Sequence, residues 1–342
     1  MNENISSRLR DVLSEAFIRR QEIEQPGLIG GKMGLCMNLY HYSRTMQDQQ
    51  METFADTMID EIMEQVNLKI PVFFSSGLSG IGWGIETLAR EAYIEADTDS
   101  ILEDSDKLMI SVSGYTQADD CSFLKGYVGR SMYTFLRLKN PGNSDDKLST
   151  LHNKRLLISY IDMLWQILSR CPEKQLLAER KMFSKYWDFP YILSFLAEAY
   201  RADVFNHVVR RCLHIVTGCL QNHAFEQEKS TLCILPVIKE LVGLNCHPPL
   251  EELYHTLLQR LDLKKLQTEL DFENVSLISQ QDFTLLHASA KTINDDLMEE
   301  YTRIKKRMET KLPAYFDRKK TLAEQLSDLD LLDGYKGYFM SE

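Results

Sequence analysis

Long apolar runs are missing from this sequence. No stretch approaches the ~18–20 consecutive apolar residues that a membrane-spanning helix needs. The first residues, Met1 to Leu13, are polar and lack the apolar centre of a secretory signal. Paired cysteines are missing too. The seven cysteines are scattered, odd in number and never spaced as C-x-x-C. That pattern argues against a disulfide framework and for a reducing compartment, so the cytoplasm is the expected location. Basic charge is short: 39 Lys and Arg stand against 50 Asp and Glu, for a net charge of −11. A nucleic-acid or anionic-membrane surface needs clustered cations, so neither partner is expected. The short basic runs at Arg303–Arg307 and Arg318–Lys320 read as solvated helix faces.

What is present in quantity is apolar residue and ordered glycine. The chain is 44% hydrophobic and 26% charged, which suits a large globular core. Of 16 glycines, 12 fall in four short segments. These are Gly27–Gly34, Phe74–Gly84, Phe123–Gly129 and Leu331–Gly337, and they share an apolar-x-x-Gly-x-x-Gly pattern. Leu28, Phe74, Phe123 and Leu331 fill the apolar place. Gly31, Gly77, Gly126 and Gly334 are the first glycine; Gly34, Gly80, Gly129 and Gly337 are the second. The first glycines are separated by 46, 49 and 208 residues, the last being four periods of 52. A repeat of this length marks a stacked array of like units. It holds two helices of 15–18 residues, each ~25 Å long, and two connections.

Hydrophobic periodicity fills in the units. The glycines lead into helices that are apolar nearly all round, such as Leu35–Tyr40 and Ser131–Leu136, which marks them as buried. The next helix in each unit is amphipathic. Met51, Phe54, Met58, Ile62 and Val66 repeat at helical spacing, with Ile59 and Met63 widening the stripe, and Ile293, Leu297, Tyr301, Ile304 and Met308 do the same. The expectation is an all-α, (α/α) toroid of about seven helical hairpins in one domain over residues 1–342, with a buried inner ring and an amphipathic outer ring. Unit four starts at Trp187-Asp188-Phe189-Pro190, where Asp188 caps a helix and Pro190 sits in the first turn. Its inner helix is Tyr191–Tyr200 and its outer helix Val204–Leu220. Unit five runs Cys233–Val242 and then restarts after Pro248-Pro249. Unit six is inner near Phe283–Thr292.

Glycines at i and i+3 of a helix start lie on one face and let another backbone approach. The same place exposes N–H groups that have no partner within the helix, which suits an anion or carboxyl group. Gly31, Gly34, Gly77, Gly80, Lys125, Gly126, Gly129, Arg130, Gly334 and Gly337 therefore outline a candidate peptide- or anion-binding basin. Lys32, Ser75, Ser76, Asp119, Gln281, Asp282, Asp333 and Lys336 fall at the same end. Asp120 and Asp188 are candidate acid/base carboxylates there, with helix capping as the other use of such residues.

The segments GLIGGKMGL, SSGLSGIGWG, FLKGYVGRS and LLDGYKGYF, at this spacing, resemble the lanthionine synthetase C-like (LanC-like) family. The resemblance implies a seven-fold α/α toroid. It also implies an enzyme that adds cysteine thiols to dehydrated Ser and Thr of a ribosomally made precursor peptide, using one zinc held by two cysteines and a histidine. Those ligands fall at the inner-helix starts of units five and six, and a His-Gly pair usually opens unit four. Here unit five reads Ser230-Thr231-Leu232-Cys233, so Cys233 takes the first ligand place without the family's Trp and Gly. Unit six reads Ser279-Gln280-Gln281-Asp282-Phe283, with neither Cys nor His. Unit four has Asp188-Phe189-Pro190. Cys246-His247 are adjacent but follow the unit-five helix, and thirteen helical residues place them roughly 20 Å from Cys233.

The expectation is a LanC-like protein that has lost zinc, so that no metal or other cofactor is held. It partners a precursor peptide or a peptide-modifying enzyme as a binding or scaffolding protein. Two alternatives stand beside it: an active thioether cyclase with a rearranged site using Cys233, and zinc if the family function is kept; or a toroid carbohydrate-active hydrolase, for which Trp83, Tyr127, Trp187 and Tyr335 are the candidate basin aromatics.

Overall fold

In a computed structural model the described residues are 3–67, 69–113, 121–139, 148–170, 188–221, 223, 225, 228–262 and 264–265. Every regular element among them is helical. The helices are α1 (Glu3–Ile18), α2 (Lys32–Met46), α3 (Gln49–Gln65), α4 (Leu78–Arg90), α5 (Thr98–Ile101), α6 (Glu103–Ser113), α7 (Tyr127–Leu138), α8 (Leu148–Arg170), α9 (Asp188–Arg201), α10 (Asn206–Gln221), α11 (Glu228–Gly243) and α12 (Pro249–Arg260).

Local sequence sets the hairpins. At the end of α2, Gln47 takes a left-handed conformation with φ 55°, and the Asp48 N–H closes back onto the Ser43 carbonyl. Asp48 then caps α3, its carboxylate accepting from the Gln50 and Met51 N–H groups. A helix stop and a helix start two residues apart force α3 to fold back along α2. Before α12, the Pro248-Pro249 pair breaks the chain after α11 and opens the next helix, where a missing N–H is tolerated.

Packing sorts the helices into two rows. Helices α2, α4, α7, α9 and α11 neighbour one another in that order. They form the buried row: Leu35–Tyr40 of α2 and Ser131–Leu136 of α7 are buried throughout. The second row covers it. Helix α3 packs on α2, α8 on α7, α10 on α9 and α12 on α11, while α6, α8, α10 and α12 follow side by side. These helices bury one stripe only. In α3 it is Met51, Ala55, Met58 and Ile62, whereas Met63, expected to widen the stripe, is 40% exposed. Helix α1 lies against α2, and its Phe17 stacks on Phe54 of α3 with ring centroids 4.0 Å apart.

Two-layered, all-helical hairpin packing is thus present through unit five. The residues that would close a ring, units six and seven with Gly334 and Gly337, lie outside the described residues, as does the amphipathic stretch Ile293–Met308. Two helix starts are corrected. The unit-five inner helix begins at Glu228, not Cys233, and carries Pro236 inside it. The extra turns bury Ser230, Thr231 and Leu232 against the core, an apolar gain that outweighs one backbone hydrogen bond lost to proline. Helix α10 likewise starts at Asn206, two residues beyond the expected Val204.

Candidate functional site at the helix starts

The three glycine segments within the described residues lie beside one another at the starts of α2, α4 and α7, where Gly31, Gly77 and Gly126 are the N-cap residues. Their loops are joined in register. The Ile29 N–H donates to the Ser75 carbonyl at 2.7 Å, and the Ser75 N–H donates to the Leu124 carbonyl at 3.0 Å. Ile29, Ser75 and Leu124 each follow the apolar residue of their own motif, so one repeat hydrogen-bonds the matching position of the next. The apolar residues stack in the same order. Phe74 and Phe123 have ring centroids 5.1 Å apart, and Phe123 lies face to face with Tyr191 of α9 at 3.7 Å.

The second glycine explains the motif. A side-chain carbon on Gly129 would strike the Phe123 carbonyl oxygen of its own loop and come within 2.9 Å of the Phe74 side chain in the preceding unit. At Gly80 the same carbon would strike the Phe74 carbonyl oxygen and come within 3.1 Å of the Leu28 side chain. Gly80 and Gly129 are therefore where the motif's own apolar residue folds over the helix and the previous unit's apolar residue packs in. This is a backbone approach that only a missing Cβ permits.

The helix-start N–H groups find partners in their own loops. Lys32 N–H donates to the Gln25 carbonyl at 2.9 Å, Leu78 N–H to the Pro71 carbonyl at 2.8 Å, and Gly126 N–H to Ser122 Oγ at 3.0 Å. These bonds satisfy donors that a helix leaves unpaired. Lys32, buried at the first position of α2, sends its ammonium to Glu61 of α3 at 3.2 Å, where Arg20 also binds. Partial burial opposes the charge of Glu61, but Arg20 and Lys32 hold its carboxyl below the usual range.

The remaining candidates separate. Lys125 is exposed, with its ammonium 5.8 Å from the Phe73 ring centre. Arg130 is buried and donates to the Lys125 carbonyl at 3.2 Å. Beneath it Tyr160 of α8 is pushed up to about 12 by burial, with Arg130 pulling the other way. Asp188 is the first residue of α9, and its carboxylate accepts the Phe123 N–H at 2.7 Å. Unit four lacks the glycine loop, and this carboxylate carries the loop-to-loop connection in its place. Asp120, Gly334 and Gly337, with Asp119, Trp187, Gln281, Asp282, Asp333 and Lys336, lie outside the described residues.

Among the described residues, Cys233 and the Cys246-His247 pair lie toward opposite ends of α11 and do not fit a single zinc ion. Cys233 is half-buried in the second turn of α11. Cys246 lies past the other end of that helix, buried, its thiol donating to the Leu241 carbonyl at 3.1 Å and pushed up to about 11 by burial. His247 meets His214 of α10 edge to face, with ring centroids 5.8 Å apart, and its pKa is lowered by burial and by His214. Among the described residues no three His, Cys, Asp or Glu side chains gather as a metal site.

Sequence reasoning did not find the opposite end of the buried row. There the helix ends are joined by charge. Arg44 of α2 donates to the Glu91 and Ala92 carbonyls beyond α4 at 2.8 and 2.9 Å. Fully buried Arg137 of α7 pairs with Glu86 of α4 at 3.1 Å, Asp106 of α6 at 3.0 Å and Asp99 of α5 at 2.9 Å. Tyr133 adds a hydrogen bond to Asp106 at 2.6 Å. Lys139 pairs with Glu198 of α9 at 2.8 Å, and Arg201 reaches Glu240 of α11 at 2.5 Å. With three carboxylates sharing one guanidinium, burial lifts the Asp106 carboxyl above its usual range despite Arg137. Cations at the ends of helices also meet the negative pole of the helix dipole.

Neither a protein-family model nor a curated protein matches this chain.

Proposed function

We propose that this chain is a LanC-like α/α toroid in the cytoplasm that has left zinc chemistry behind, and that it holds a ribosomally made peptide, or the enzyme that modifies it, as a binding scaffold. One observation carries the reading. The glycine repeat that resembles the family builds a continuous helix-start face, and where unit four departs from the motif Asp188 keeps that face joined through the Phe123 N–H. A connected face without the family's ligand pattern is what a scaffold requires. Of the candidate catalytic groups, the Asp188 carboxylate is engaged in backbone hydrogen bonding, as a joint of the face requires.

The test has two parts. Protein purified without chelators is assayed for zinc by mass spectrometry. It is then titrated with a labelled linear peptide that carries cysteine and dehydroalanine, with anisotropy and product mass followed together. The expected result is zinc well below one per chain, saturable binding and no thioether product. Stoichiometric zinc with thioether formation would establish the cyclase instead, and failure to bind the peptide would sink the scaffold.

A further inference from the structure

Helix α8 has two apolar faces, one buried and one exposed. Its buried face, through Asn153, Leu157, Tyr160, Leu164 and Leu168, packs inward. On the other side Leu148 is 61% exposed, Leu151 52% and Ile158 41%. Half of the six exposed large hydrophobic residues among those described are on this one helix. They are not scattered. Leu148, Leu151, Arg155, Ile158 and Asp162 alternate by three and four, the spacing of a coiled-coil seam, and Trp165, which packs against the core, ends the run. Isolated exposed apolar residues need no explanation, but an ordered stripe marks an interaction surface.

We propose that this outward seam is a docking strip for an acidic amphipathic helix of a partner protein. Charge chooses the occupant. The chain carries a net −11, yet α8 holds Lys154, Arg155 and Arg170 against the single acid Asp162. Arg155 is exposed in the middle of the seam, and the half-buried Asp162 carboxylate is turned to the Gln166 amide at 2.8 Å. A partner helix with leucines at seam positions and carboxylates beside them covers the stripe and meets Arg155. A second copy of the chain fits less well, because antiparallel pairing about the seam's midpoint brings the two Arg155 residues within a helical turn of each other. The strip faces away from the buried row, so it goes beyond the peptide reading and stands or falls separately.

The test uses the full chain and two labelled synthetic helices. They share a leucine seam; one is flanked by glutamates and the other by lysines. Fluorescence anisotropy is expected to show binding of the glutamate helix alone, weakened by salt. The paired change Leu151→Ser and Ile158→Ser should weaken it by about tenfold or more. Arg155→Glu should shift preference to the lysine helix. All three positions are exposed, and unchanged thermal melts confirm that the variants fold. The proposal is overturned if the glutamate helix does not bind or if its binding ignores both variants. It is equally overturned if sedimentation shows a dimer that the double serine variant dissolves.

Discussion

The two ends of the buried helix row are held by opposite means. At the helix starts, backbone meets backbone: loops hydrogen-bond in register, aromatic rings stack, and glycine leaves room. At the helix ends, long charged side chains bridge from one helix to the next. Close backbone contact fixes spacing to within a few tenths of an ångström and cannot be extended. Ion pairs on flexible stems tolerate variable distance. A row pinned at one end and bridged at the other can keep a regular repeat although its units differ in length.

The largest effect is expected where the charged end is driest. Arg137→Ala leaves Glu86 and Asp106 buried with no guanidinium between them, and should cost about 3–5 kcal/mol in urea denaturation. Replacing Arg137 with Met while changing Glu86→Leu, and Asp106→Asn to keep the Tyr133 hydrogen bond, should recover most of that loss, since a buried ionic group and a well-packed apolar one of similar volume differ little. If the triple variant is as unstable as Arg137→Ala, the charged end depends on more than the pairing described.

Next comes the glycine end. Gly129→Ala forces a methyl against the Phe123 carbonyl and the Phe74 side chain, and should cost about 1–3 kcal/mol. Gly80→Ala should behave alike. Gly218, inside α10, has nothing within 4 Å of the place a methyl would take, so Gly218→Ala should stabilise by about 0.5–1 kcal/mol through helix propensity. Equal losses at all three positions would mean that the motif glycines are not special.

These two ends also differ in how well the sequence announces them. Glycine spacing is a direct mark of backbone approach, so the repeat, the hairpin period and the starts of α2, α4 and α7 are legible. The charged end is not. Arg137 and Glu86 are 51 residues apart, and each looks like any solvated charge until the helices are side by side. Helix α1 hides for a related reason: its sequence is polar, and among its residues of described burial the anchors are Leu13, Ala16 and Phe17. The start of α11 is obscured because the expected boundary falls at Cys233, while burial of Ser230–Leu232 decides it. Of the candidate site, the helix-start positions of the glycines are readable from spacing. The roles of Lys32 and Asp188 depend on Glu61 and Phe123, partners distant in sequence.

One ion pair belongs to the glycine end and tests the boundary between the two chemistries. Glu61→Gln removes the carboxylate that faces buried Lys32, and should cost about 1–2 kcal/mol at neutral pH, below the range for a fully buried pair because Glu61 is 21% exposed. The sign with pH follows from the lowered carboxyl. Its stabilisation is fully present above the ordinary glutamate value of about 4.3 and is lost as pH falls through the lower folded value. The wild-type advantage over Glu61→Gln in urea midpoint should therefore be constant near neutrality and shrink in acid. An advantage that grows in acid would reverse the assignment.

The smallest effect is expected at Cys233, and it asks whether the helix-start end carries chemistry or packing alone. The thiol is half-buried and one turn inside α11, so Cys233→Ala removes a small polarizable group from the rim of the core. About 1 kcal/mol or less of stability should go with it. Peptide binding by anisotropy and zinc content should not change. Loss of bound zinc, or loss of a thioether-forming activity that the parent protein shows, would make Cys233 a ligand and return the helix-start end to catalysis. An unchanged protein leaves that end with the role its geometry already has, in which glycine, aromatic stacking and the Asp188 carboxylate hold the starts of α2, α4, α7 and α9 together as one face.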